Sequence, residues 1–164
     1  MKKAFVCMAT ALLMATPAMA QHANTELTNC VIQAPIPGKH MTGAFLKITH
    51  HGAPVEIKSV AVPSVTEQAE LHTMTMQDNV MTMAPMTDLK LPDGERIFRK
   101  GGDHIMLMKI PADKLPKAGE KHQITMQLSD GSSASCDALV KTPEEVIKDS
   151  KMSHEHMQSH QHQH

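Results

Sequence analysis

Apolar and polar positions alternate in short runs along most of this chain. The runs are Leu27 to Gln33, Gly43 to His50, Val55 to Val62, Ala69 to Met76, Val80 to Met83, Glu95 to Arg99, Ile105 to Ile110, His122 to Leu128 and Ser133 to Val140. A period of two sends successive side chains to opposite faces of an extended backbone, so each run reads as a strand. Between the runs stand Pro35-Ile36-Pro37-Gly38, His51-Gly52-Ala53-Pro54, Leu91-Pro92-Asp93-Gly94 and Asp130-Gly131, all turn signals. Many short strands between turns predict an all-β sandwich. A helical start appears only late, at Thr142-Pro143-Glu144-Glu145, where a capping residue precedes proline and two early acids. It predicts a short helix from Pro143 to about Lys148.

Both ends depart from this pattern. Lys2 and Lys3, the apolar stretch Ala4 to Ala15 and the small residues Ala18-Met19-Ala20 have the three parts of a secretory signal. Residues 1–20 are therefore expected to be a signal peptide, and export to the periplasm follows. Cys7 lies inside the apolar stretch, away from the predicted cut, which argues against lipid attachment. No later run approaches the roughly 18 apolar residues of a membrane span, so no membrane insertion is expected. At the other end, the residues from Met152 to His164 carry no apolar stripe and should be disordered. The chain thus divides into a signal at 1–20, one β-sandwich domain at 21–141, and a short helix with a His/Met-rich tail at 142–164.

Losing Lys2 and Lys3 leaves 14 basic against 17 acidic residues, a charge of about −3, which argues against nucleic acid as a partner. Cys30 and Cys136 are the cysteines left after the signal. Without CxxC spacing, and in an exported chain, they are expected to form a disulfide rather than a thiolate metal site. Trp and Tyr are absent, and beyond the signal only Phe45 and Phe98 are aromatic. The core must therefore rest on Val, Ile, Leu, Ala and some Met.

Methionine changes the picture most. Of 15 in the chain, 11 lie beyond the signal, and five of those fall between Met74 and Met86. Two segments repeat one pattern, His72-Thr73-Met74-Thr75-Met76 and His104-Ile105-Met106-Leu107-Met108. On an extended strand the histidine and both methionines of a segment share a face, so two such strands brought together would gather imidazoles and thioethers. Thioether sulfur is neutral and polarizable and favours Cu(I) over Zn(II), Mg(II) or Ca(II), while imidazole suits copper in either oxidation state. Methionine is also a flexible core filler, and Met76 and Met108 are the first choices for that role.

The stretch from about Thr28 to Val140 resembles the periplasmic copper chaperones written PCu(A)C. The resemblance rests on Glu70-Leu71-His72-Thr73-Met74 with Val80-Met81-Thr82-Met83, and on Gly101-Gly102-Asp103-His104-Ile105-Met106-Leu107-Met108. In that family a histidine is followed after ten residues by a methionine, and a later histidine by a methionine at the second position. Carried onto this chain, the pattern selects His72, Met83, His104 and Met106. The 20 residues between Met83 and His104 are one fewer than in the family, a shortening expected around Asp88 to Gly94, and it leaves Met81 as an alternative to Met83. The resemblance implies a cupredoxin-like β-sandwich and delivery of Cu(I) to the copper centre of cytochrome c oxidase or another periplasmic cuproprotein.

The tail adds Met152, His154, His156, Met157, His160, His162 and His164, an imidazole-rich set that suits Cu(II) and predicts a second site. His22, second after the predicted cut, could chelate Cu(II) with the free amine. His40, Met41, His50, His51 and His122 fall in or beside predicted turns and read as surface residues, with His40 and Met41 possible neighbours of the metal. The reading as a whole is a monomeric copper carrier and not an enzyme. Sequestration of periplasmic copper without a dedicated acceptor is the first alternative. Copper electron transfer is the second, and is disfavoured because blue-copper sites need a cysteine thiolate beside two histidines.

Overall fold

The computed structural model describes residues 24–150. The predicted signal and the His/Met-rich tail, including His22 and the seven residues expected to form a second site, lie outside the described residues. The strands are β1 (Thr25–Gln33), β2 (Thr42–His50), β3 (Val55–Ala61), β4 (Gln68–Gln77), β5 (Val80–Pro85), β6 (Lys90–Leu91), β7 (Gly94–Phe98), β8 (His104–Met108), β9 (Lys121–Leu128) and β10 (Ser133–Lys141). Each predicted run falls on a strand. The two-residue β6 has no alternating run to announce it, and exists because Leu91, 1 % exposed, is buried where Lys90–Leu91 pairs with β3.

The strands form one hydrogen-bonded path, β5-β4-β8-β2-β1-β10-β9-β3-β6, with β7 lying on β2 beside β8. All pairs are antiparallel except β1 with β10. The path folds over on itself so that its two halves enclose a common core. Ile32, Leu46, Ile48, Ile105 and Leu107 come from one half, and Ile57, Val60, Ile124 and Met126 from the other. Alternation supplies this face: in β2 every second residue from Thr42 to His50 is buried. Each fully buried aliphatic side chain contributes about 1.5–3 kcal/mol. Where the halves join, Val62 bridges Thr66, and the Thr66 hydroxyl donates to the Met108 carbonyl at 2.6 Å.

Cys30 and Cys136 form the expected disulfide, tying β1 to β10 across 106 residues of sequence. The predicted helix is present and slightly longer than expected, α1 at 143–150. Thr142 and Glu145 cap it reciprocally: the Glu145 amide donates to the Thr142 hydroxyl, and the Thr142 amide to the Glu145 carboxylate at 2.8 Å. Val146 anchors it, only 3 % exposed.

Two expectations need correction. Met76 is not core: it is 65 % exposed, because the β4–β5 hairpin extends past the packed layers. Met86 and Met126 fill the core instead, while Met108 is half-buried. His50 is not a surface residue: it is 2 % exposed, at the end of β2, with Nδ1 bonded to the Thr25 hydroxyl and Nε2 to the Ala53 carbonyl. Both ring nitrogens being satisfied, burial costs it little.

Candidate metal centre

The two His-x-Met-x-Met segments lie side by side as β4 and β8, running in opposite directions. His72 and His104 are direct cross-strand partners, their ring centroids 6.1 Å apart and the planes at 62°. Their neighbours of opposite parity, Leu71 and Ile105, are also partners, with Ile105 fully buried and Leu71 packed against the core. The histidines therefore lie on the other face of this half of the sheet, away from the central core.

Antiparallel register splits the methionines that the sequence pattern would gather. From the histidine pair, Met74 and Met76 continue toward the β4–β5 turn, while Met106 and Met108 continue the opposite way, opposite Glu70 and Gln68. Met83 enters from β5 as the partner of Met74, one rung from His72. Met81 pairs with Met76, one rung further out. Of the two alternatives, Met83 is thus the nearer to the histidines, by about 7 Å along the strand. The candidate ligands thus lie on one face of the sheet.

The hydrogen bonds assign a free nitrogen to each ring. His72 Nε2 lies 3.0 Å from Glu70 Oε2, and its Nδ1 is buried with no hydrogen-bond partner. A buried imidazole nitrogen without a partner is costly unless something binds its lone pair. With Nε2–H donated to the carboxylate, Nδ1 carries that lone pair. In His104 the roles are exchanged: Nδ1 lies 2.9 Å from the Gly102 carbonyl, which can only accept, so Nε2 carries the lone pair. A ligating histidine commonly donates its second N–H to a carboxylate or carbonyl, which fixes ring orientation and tautomer. The residues present therefore fit a soft metal ion.

Exposure is graded across the set. His104 is 5 % exposed, Met106 half-buried, and Met83 48 % exposed. Behind the histidines, Asp103 holds three elements together. Its Oδ1 accepts from the Thr73 hydroxyl at 2.7 Å, its Oδ2 from Arg96 Nε and Nη2 at 3.1 and 2.9 Å, and its carbonyl from the Arg99 amide. This fixes the turn that presents the Gly102 carbonyl to His104. Glu70, Arg96 and Asp103 were not singled out by sequence reasoning. Glu70 could have been found, since period-two spacing puts it on the face of His72; Arg96 could not, as its approach to Asp103 depends on β7 and β8 both pairing with β2.

Among the described residues, the other histidines lie apart. His40 Nδ1 bonds the Ile110 carbonyl at 2.8 Å. Met41, 49 % exposed, precedes β2 at the Met108 end of this face. His51 is exposed beside Asp93, and His122 lies on β9 between Ser64 and Glu120. Cys30 and Cys136 are consumed by their disulfide.

A sequence model of the family described as "LpqE-like: Putative lipoprotein LpqE-like" matches residues 25–140. A curated relative, "Putative lipoprotein Lxx21020" of Leifsonia xyli subsp. xyli (strain CTCB07), is 31 % identical over 99 residues, 59 % of this chain and 58 % of the relative. The chain thus spans less than two thirds of that relative's length. Among solved structures, the apo PCuAC domain from PmoF1 matches with TM-score 0.58 at 17 % identity, covering 73 % of this chain and 95 % of that one. CuI-DR1885 from Deinococcus radiodurans matches with TM-score 0.52 at 27 % identity over 71 % of this chain and 76 % of that one. The apo form of DR1885 matches with TM-score 0.55 at 26 % identity over 87 % and 95 %. The fold is the expected cupredoxin-like β-sandwich.

Proposed function

The chain belongs to the LpqE-like family, and from that premise we propose that it is an exported copper carrier that binds Cu(I) through His72, Met83, His104 and Met106 and hands it to a partner protein. The observation that carries this reading is the buried, unpartnered Nδ1 of His72 on a ring 6.1 Å from that of His104. Two neutral imidazole nitrogens and two thioethers make a set that selects Cu(I) by softness. The similarity to the copper-bound DR1885 supports copper as the cargo.

The gradient of exposure suits delivery. His104, oriented by Gly102, and His72, oriented by Glu70, hold the ion from the protein side. Met83 is the outermost donor, so an acceptor's ligand displaces it first and the remaining bonds exchange in turn. A carrier of this kind has no substrate to transform and needs no general acid or base. The acceptor proposed is cytochrome c oxidase or another periplasmic cuproprotein, with the carrier acting as a monomer in the periplasm. The tail residues Met152, His154, His156, Met157, His160, His162 and His164 are proposed from their composition as a second, Cu(II)-favouring site.

The test is an anaerobic Cu(I) titration against a competing chelator, on the full chain without its signal and on the same chain ending at Ser150. Ending there retains α1 and its buried Val146. One tight equivalent in the shortened chain, lost in His72→Ala and weakened in Met106→Leu, is the expected result. Binding that vanishes with the tail and ignores both substitutions would overturn the central site.

A further inference from the structure

Two of the methionines that the proposed site leaves unused stand together at one place in the fold. Met76 and Met81 are direct partners on β4 and β5, two residues beyond the Met74–Met83 pair and next to the closing pair Gln77–Val80. Asp78 and Asn79, at φ 51° and 60°, make the two-residue turn that ends the hairpin. Met76 is 65 % and Met81 50 % exposed. The adjacent pair, Thr75 with Thr82, points to the other face, where the two hydroxyls lie 3.1 Å apart.

This arrangement reverses what packing alone would choose. The threonines continue the side of the sheet that bears Leu71 and the core, whereas the methionines continue the side that bears His72 and His104. Nothing about burial explains two large apolar side chains at this exposure. Chemistry does: directly opposed residues have Cβ atoms about 4.5–5.5 Å apart, and two flexible thioethers at that spacing can close on one soft ion. Met74 and Met83 lie between this pair and the histidines, so thioether donors continue from the hairpin tip to the centre in steps of about 7 Å.

We propose that Met76 and Met81 form an auxiliary Cu(I) site at the tip of the β4–β5 hairpin, a two-thioether station continuous with the central one. The inference rests on the reading that Cu(I) is the cargo of the His72/His104 centre. Two thioethers leave coordination positions open, so the station binds more weakly than the centre and exchanges its ion readily with an incoming ligand. A purely structural pair would serve the hairpin equally well as leucines; a metal site would not.

The experiment follows methionine methyl resonances in the full chain without its signal, labelled with 13C at the methionine methyls and titrated anaerobically with Cu(I). Single Met→Leu variants assign each methyl, including those of Met152 and Met157. The first equivalent is expected to shift Met83 and Met106. Further additions shift Met76 and Met81 together, and Met76→Leu abolishes the response of Met81. The auxiliary site is overturned if both methyls stay still up to saturation of the chain, or if Met81 responds unchanged in Met76→Leu. Movement of Met76 and Met81 with Met83 and Met106 silent would instead overturn the central assignment while leaving the hairpin site in place.

Discussion

His72 and His104 are directly opposed across β4 and β8, yet each presents a different nitrogen: Nδ1 from one ring, Nε2 from the other. The asymmetry follows from their anchors, a side-chain carboxylate two residues away on β4 and a backbone carbonyl in the turn before β8. The four proposed ligands should therefore be unequal. His104→Ala is expected to abolish tight Cu(I) binding, because the innermost donor is lost. Met83→Leu, at an exposed donor, should weaken affinity less and leave stoichiometry near one. Chelator competition on the chain ending at Ser150 measures both, and equal losses would contradict the graded site.

Glu70 offers a separate test. Its carboxylate is half-exposed and 3.0 Å from His72 Nε2, so in the proposed centre its part would be to orient the ring and raise ligand basicity. Removing such an outer partner typically costs about 10–100-fold in metal affinity. Glu70→Gln should fall in that range, while Glu70→Asp, which keeps the charge at shorter reach, should lose less. The readout beyond affinity is the His72 ring: 15N-imidazole NMR should report Nε2–H in the parent and a mixed tautomer in Glu70→Gln. An unchanged tautomer would assign Glu70 no positioning role.

Most of the fold was legible because it depends on a local signal. Period-two alternation marked nine of the strands, and the Thr142/Glu145 capping pair marked α1. The candidate site could be named only as residue types and, through the family resemblance, as four positions, of which the structure brings His72 and His104 face to face. What could not be read was register. The repeated His-x-Met-x-Met pattern suggests that all four of its methionines converge, whereas antiparallel pairing sends Met74 and Met76 one way and Met106 and Met108 the other. Burial of His50 was equally hidden, since its partner Thr25 lies 25 residues away on a neighbouring strand.

Away from the centre, Glu120 predicts a local response to acid. Its pKa is lowered chiefly by the Lys117 amide hydrogen bond, then by His122. A carboxylate with a depressed folded pKa favours the folded turn fully above the usual value of 4.5, and the effect fades as pH falls through the lower folded value. The Lys117 amide resonance should therefore titrate with a midpoint below 4.5, and Glu120→Gln should remove that step without changing Cu(I) binding. A midpoint above 4.5 would contradict the hydrogen bond.

The disulfide separates stability from metal binding. Cys30 and Cys136 close a loop across 106 residues, and linking positions that far apart restricts the unfolded chain strongly. Loss of a native disulfide from a small exported domain costs about 2–5 kcal/mol. Cys30 is itself 8 % exposed within the core cluster, so its replacement should be small and apolar, and Cys30→Ala/Cys136→Ala is the suitable variant. Denaturant unfolding should show a loss within that range at an unchanged native fold. The bond joins β1 to β10, on the far side of β2 from His72 and His104, so folded variant should still bind one tight equivalent of Cu(I). If affinity for Cu(I) fell while the variant remained folded, the cysteines would have a part in the metal chemistry that neither their pairing nor their position predicts.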